Sequence, residues 1–326
     1  MVILAKQSGE EIRAIRYNEY DFEVGDEAND FEVKILRNEW EDVPNDAMIY
    51  IPGTEYGGII RRTEIDTKQG YISLGGLTWR GLLKSKIIEP QAGEDYAADE
   101  GDINTIIGTR VSSSFDNLMV GTAPCGVYVD YRYNRYVSLY DGLQAMLKKT
   151  GHKLRIVYDQ VLKRAVVDAV PIVDYSDKIE FSTDISAYYY INLDRTGVNH
   201  LVCLGNGRLK DRIVVHLYAD RNGNISREQT FFGRDEIMAV YDYAGADETQ
   251  LVQSGTEQLR SMQSINQFSI DIEAEDIEIG DIVGGKDDVT GIGMKAPVTG
   301  KIHRSHSGLT STEYTISNNV EVTNES

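Results

Sequence analysis

Few residues in this chain are spaced as a chemical site requires. Asp220-Arg221-Asn222-Gly223-Asn224 opens like a calcium loop, with oxygen ligands at alternate positions. The twelfth position, where such a loop needs a bidentate Glu, is Phe231, and strand-like sequence flanks it; Asn222-Gly223 reads instead as a hairpin turn. His303 and His306 lie three apart with no cysteine or carboxylate cluster to complete a metal shell, and His152, His200 and His216 are scattered. Gly205-Asn206-Gly207 and Gly284-Gly285-Lys286 imitate phosphate loops, but neither opens a helix after a strand, so both read as turns. No nucleophile elbow and no zinc-protease motif occurs. Carboxylates are abundant enough that a glycosidase-type acid/base pair is not excluded by counting. No residue is nominated as catalytic, cofactor-binding or metal-ligating, and no cofactor is implied.

Composition narrows the classes. The 326 residues carry a net charge of −19, with twenty tyrosines, thirty glycines and six prolines. The length suggests two or three domains. So acidic a chain is a poor nucleic-acid ligand, because phosphate contacts need a basic patch. The acidity serves solubility, or lines a passage through which DNA must move without adhering. The acidic segments Glu94 to Asp102 and Asp271 to Asp288 read as solvated faces. Cys125 and Cys203, each in an apolar context, read as buried thiols rather than a disulfide or zinc pair. Such cysteine usage fits synthesis in a reducing cytoplasm, and no signal peptide and no membrane-length apolar run is read.

The elements that would position any site are mostly short strands. Phe31-Glu32-Val33-Lys34-Ile35 alternates, and Gly25 to Asp30 is the turn before it. The stretch from Met48 to Pro90 organises the chain. It holds a strand at 47–51, a hairpin with arms at Gly58–Glu64 and Tyr71–Leu74, a stop at Gly75-Gly76 and a short helix at Leu77–Leu83. Gly70, in the hairpin turn, is free to take a positive φ. Asp102 is placed to cap a helix from Ile103, and Val127–Tyr133 reads as a strand. Ser138–Thr150 has a cap, an apolar stripe and a Gly151 stop, and a hairpin with arms at Lys153–Tyr158 and Arg164–Val170 follows. Strands are expected at Asn199–Leu204, Asp211–Tyr218 and Phe268–Ile272, with helices at Asp235–Tyr243 and after Asp247.

The hairpin with Gly58, Ile60, Tyr71, Gly76, Arg80, Leu82 and Leu83 resembles the N-terminal barrel of bacteriophage tail-hub proteins, found at the tip of a phage tail or related injection device. Gly300-Lys301-Ile302-His303-Arg304, a turn at Ser307-Gly308 and Tyr314-Thr315-Ile316-Ser317 echo the opening hairpin, which suggests a second, related barrel. The expected fold class is therefore α+β, mainly antiparallel β: two similar small β-barrels, an intervening α+β domain and a helical insert in the second barrel. The division is 1–92 for the first barrel, 93–178 plus 231–265 for the α+β domain, and 179–230 plus 266–326 for the second barrel. The resemblance implies a non-enzymatic structural subunit of a virion tail: a homotrimeric ring joining a distal tail or tail-tube protein, a tape-measure protein and a tip fibre or spike, with DNA passing unbound. The alternative is a cell-surface carbohydrate-binding or carbohydrate-cleaving β protein using Tyr131, Tyr133 and Tyr136, or Tyr188 to Tyr190, to stack on sugars. Those tyrosines read first as core and subunit contacts.

Overall fold

The computed structural model describes residues 1–15, 19–40, 43–176, 188–192, 196–221, 223–263, 267–271, 277–287, 289–317 and 321–323. The chain divides into two compact units, one of 1–187, 271–282 and 298–315, the other of 188–270, 283–297 and 316–326.

The first unit is built on a long antiparallel sheet. Its strands are β1 (Val2–Ala5), β2 (Glu11–Ile15), β3 (Glu19–Gly25), β4 (Asp30–Leu36), β5 (Met48–Tyr50), β6 (Gly57–Ile65) and β7 (Tyr71–Thr78). The order runs β3-β4-β7-β6-β5-β1-β2. Phe31, Val33 and Ile35 alternate inward as their spacing requires. Residues Gly300–Ser305, expected in a second barrel, pair with β3 from Gly25 to Tyr20 and extend this same sheet. The order is linear, and the sheets are open rather than closed into barrels.

The opening hairpin departs from expectation at its glycines. β7 does not stop at Gly75-Gly76 but continues to Thr78, and α1 (Trp79–Lys84) begins only then, its first turn capped by the Thr78 hydroxyl, which accepts from the Gly81 N–H at 3.3 Å. The glycines give room instead of a stop. A Cβ on Gly76 would lie 1.9 Å from the Ile59 carbonyl oxygen, and one on Gly58 2.0 Å from that of Leu77. Gly76 and Gly75 face a break in the β6–β7 register, Gly76 opposite Ile60 and Gly75 opposite Arg62, while Gly58 pairs with Thr78 two residues along. Gly70 does not use a positive φ in its turn.

Beyond residue 92 come β8 (Ala98–Asp102), α2 (Ile103–Ser114), β9 (Met119–Gly121), β10 (Tyr128–Arg132), α3 (Leu139–Lys148), β11 (His152–Asp159) and β12 (Arg164–Pro171). The region expected as a linker thus contains β8, which pairs with β10. Asp102 caps α2 as anticipated, accepting from the Asn104 and Thr105 N–H groups, and also accepts from Gly126 N–H at 2.7 Å. β11 and β12 form the expected hairpin, and β9 adds parallel to β12. Tyr50, Trp79 and Leu83 share one apolar core with Ile103, Leu143, Met146 and Tyr158, so residues on both sides of the 92/93 boundary pack together.

In the second unit, β13 (Tyr188–Asn192) pairs with β18 (Gln267–Asp271). β14 (His200–Leu204), β15 (Val214–Ala219), β16 (Ile225–Ser226) and β17 (Met238–Asp242) form a four-stranded sheet, with α4 (Glu248–Met262) packed on it through Leu251 and Leu259. The helix expected at Asp235–Tyr243 is instead β17, parallel to β14. Its alternation decides this: Ala239 and Tyr241 pack on the core while Met238, Val240 and Asp242 face out. The strand expected from Asp211 begins at Val214, after a short helical turn at Leu209–Asp211. α4 carries the foreseen cap, with the Asp247 and Gln250 side chains closing a capping box. Gly284-Gly285-Lys286 lies within β19 (Ile282–Lys286), not in a turn. The remaining strands are β20 (Gly293–His306), β21 (Leu309–Ile316) and β22 (Glu321–Thr323).

Substituting Gly76→Ala should lower stability by about 1–3 kcal/mol through forced separation of β6 and β7. Gly70→Ala, with nothing within 4 Å of the added carbon, should not. Denaturant midpoints of the two variants check this.

Candidate functional site

The first unit gathers its charged groups around the loop that follows β5. Thr54 shapes that loop: its hydroxyl donates to the Ile51 carbonyl at 2.8 Å and accepts from the Tyr56 N–H at 3.1 Å. Glu55 is thereby turned inward. One of its carboxylate oxygens meets Arg80 Nε at 2.7 Å and the other Lys301 Nζ at 2.6 Å, and all three side chains are buried. Arg80 stands on the short helix α1 and also donates to the Leu154 carbonyl at 3.1 Å. Burial alone would push the Glu55 carboxyl up, but the guanidinium of Arg80 and the ammonium of Lys301 overcome it and bring the group down to about 2. Burial would likewise drive Arg80 down, and the Glu55 carboxylate holds it above its ordinary range.

A second cluster sits beside the first. Lys153, on β11, meets Asp281 at 2.6 Å and Glu278 at 2.8 Å. Asp281 is wholly buried and also accepts the backbone N–H groups of Val173 and Glu278. Part of the acidic segment expected on a solvated face is therefore interior, because a buried lysine neutralises it. Arg155 and Asp168 close a two-pronged pair across the β11–β12 hairpin at 2.9 and 2.6 Å. A cleft of about 250 Å³ lies between these groups, walled by Glu55, Tyr56, Arg80, Arg155, Glu278 and Lys301. Three cations (Arg80, Lys153, Lys301) face three carboxylates (Glu55, Glu278, Asp281), so the interior network is balanced within a chain of net charge −19. Its groups consume one another's charge, and the arrangement fixes positions.

His303 lies two residues beyond Lys301. Its ring stacks on Tyr56 with centroids 4.3 Å apart, Nε2 is 3.2 Å from the Tyr20 hydroxyl and Nδ1 2.9 Å from the Thr312 hydroxyl. Burial, reinforced by the Lys301 charge, lowers it from 6.5 to about 4. The hairpin expected at His303–His306 is present, with His306 exposed beside Glu19. Among the described residues no group of three or more His, Cys, Asp or Glu could hold a metal ion.

In the second unit, His200 Nδ1 lies 2.5 Å from Glu236 Oε1, and His200 Nε2 lies 2.8 Å from His216 Nδ1. A carboxylate only accepts, so Nδ1 of His200 donates to it, and Nε2 of a neutral His200 then accepts from His216. Nothing in their spacing joined these histidines in one site. The β14–β15 register, which sets His216 opposite Val202, brings them together. Asp220 to Asn224 makes the anticipated turn, Asp220 N–H donating to the Asn224 carbonyl; Asn222 lies outside the described residues. Tyr131 and Tyr133 are buried, whereas Tyr136 and Tyr190 are exposed. Cys203 is buried, but Cys125 is exposed: its Pro124 and Gly126 neighbours place it in the loop between β9 and β10.

No protein-family model matches the chain, and no curated protein matches its sequence. Solved structures do. The 43 kDa tail protein of prophage MuSo2 from Shewanella oneidensis superposes with a TM-score of 0.51 at 12% identity, covering 98% of each chain. A tail protein from Neisseria meningitidis gives 0.46 at 15% identity over 97% of this chain and 95% of that one. A prophage tail protein from Listeria monocytogenes gives 0.49 at 11% identity over 97% and 94%. At such identities the likeness to the Shewanella protein is one of fold. It agrees with the phage-tail resemblance carried by the opening hairpin.

Two outcomes follow from the buried groups. Arg80→Met leaves Glu55 with one of its two cations and should cost about 3–5 kcal/mol, whereas replacing Glu55, Arg80 and Lys301 together with apolar residues should cost much less. His303 has a depressed folded pKa, so the unfolded chain takes up its proton first as pH falls. Its stabilisation is whole above about 6.5 and is lost as pH drops towards about 4. Thermal melts of the wild type and His303→Phe between pH 7 and 4 should show that fall shallower in the variant.

Proposed function

We propose that the chain is a structural subunit of a phage tail tip or baseplate hub, working by assembly and not by catalysis. The observation that supports this most is a fold shared over 98% of both chains with the Shewanella prophage tail protein. On this reading three copies form a ring. Each subunit contributes its open, mainly antiparallel sheets and the helices packed on them to that ring. The ring joins a distal tail or tail-tube protein to a tip fibre or spike and receives the tape-measure protein. DNA passes through it without specific binding, which an acidic wall favours because it repels phosphate. The protein is made in the bacterial host cytoplasm and resides in the virion tail. No helix among the described residues is long and apolar enough to cross a membrane.

The balanced interior fits this role. A subunit that must keep its shape while neighbours pull on it gains from charge pairs that tie distant segments together, and Glu55 ties α1 to β20.

Light scattering of the purified chain over a concentration series should give a mass of three subunits. A species that stays monomeric throughout, also with tail-tube protein added, overturns the ring.

A further inference from the structure

The outer face of the ribbon formed by β8 and β10 has features that the assembly role does not use. Along β10, Val129 and Tyr131 turn into the core while Tyr128, Asp130 and Arg132 face solvent. Tyr128 is 75% exposed, an unusual setting for a large ring in a well-packed strand. On the partner strand Glu100 stands directly opposite Asp130, and Ala98 opposite Arg132. The Tyr96 ring lies against the Arg132 guanidinium, 4.6 Å from its centre, and is itself 46% exposed. Tyr128 and Arg132 are four steps apart along the extended strand, about 13 Å at the usual rise. The face is thus a strip with an aromatic ring at each end and two carboxylates between.

Those carboxylates are the telling feature. Like charges directly opposite each other weaken a strand pair. Neither Asp130 nor Glu100 has a side-chain ion pair or hydrogen bond with another of the described residues, so both keep their acceptor capacity for a ligand. An apolar partner would bury them without donors, which is unfavourable. An anionic polymer would be repelled. A neutral chain rich in hydroxyl groups satisfies every group present: the C–H faces of its rings lie on Tyr128 and Tyr96, its hydroxyls donate to Asp130 and Glu100, and Arg132 donates to its ring or hydroxyl oxygens while holding Tyr96 in place. We propose that this strip binds a neutral, ribbon-like chain of linked pyranose rings, Tyr128 and Tyr96 stacking on sugars and Asp130 and Glu100 receiving their hydroxyls. These residues differ from the buried Tyr131 and Tyr133, whose side chains are committed to the core.

The test is calorimetric titration of the full chain with cellohexaose, chitohexaose and, as the anionic counterpart, hexagalacturonate. At least one neutral hexamer should bind. Tyr128→Ala and Tyr96→Ala, both at exposed positions, should each weaken it roughly tenfold, while Tyr190→Ala should leave it unchanged. Asp130→Asn, which keeps shape but loses the charged acceptor, should weaken it less than loss of either ring. The proposal is overturned if neither neutral hexamer binds at millimolar concentration, if both ring variants bind like the wild type, or if hexagalacturonate binds more tightly than the neutral chains.

Discussion

Glu55 bridges two cations that are far from it in sequence, and the first unit depends on that bridge. A carboxylate buried alone is strongly disfavoured, and so is a buried guanidinium or ammonium. Each of these groups becomes tolerable inside only because the other two are there. The bridge is therefore demanding in geometry: the loop at 52–56, the helix α1 and the strand β20 must all be in place before any of the three charges can be interior. Salt bridges of this kind add little net stability compared with apolar packing, but they reject alternative arrangements, because a shifted strand would strand a charge.

The glycines of the opening hairpin serve the same end. Gly58 and Gly76 sit where the neighbouring strand's carbonyl leaves no room for a side chain. Their absence of a Cβ lets β6 and β7 close up around the register break, which carries β7 into Thr78 and starts α1 at Trp79. That start sets Arg80 facing Glu55 and Leu154. Leu82 and Leu83, on the same helix, are buried in the core shared with α2 and α3. The glycines, arginine and leucines of the hairpin are thus parts of one packing solution rather than separate marks.

Charge is sorted in this molecule. The described network around the cleft balances itself, so the excess of acid lies elsewhere, and exposed carboxylates such as Glu100 and Asp130 remain available to whatever meets the surface. The histidines are sorted too. His303 is enclosed by Tyr20, Tyr56 and Thr312, and His200 is committed to Glu236 and His216.

Local signals were enough for much of the architecture. The caps at Asp102, Ser138 and Asp247, the stop at Gly151, the alternation at 31–35 and the hairpin arms at 153–158 and 164–170 are decided within a few residues, and the chain forms those elements where the sequence places them. Where a residue type serves two purposes, sequence could not choose. Gly75-Gly76 reads as a stop until the facing backbone shows why glycine is needed there, and 238–242 reads as helix until β14 offers it a strand partner. Nor could sequence join Glu55 to Lys301, His200 to Glu236, or Lys153 to Asp281. Such pairs are made by strand register and by the return of the chain to an earlier sheet. Register is a long-range choice: it depends on which faces are buried together, and no short window of residues contains that information.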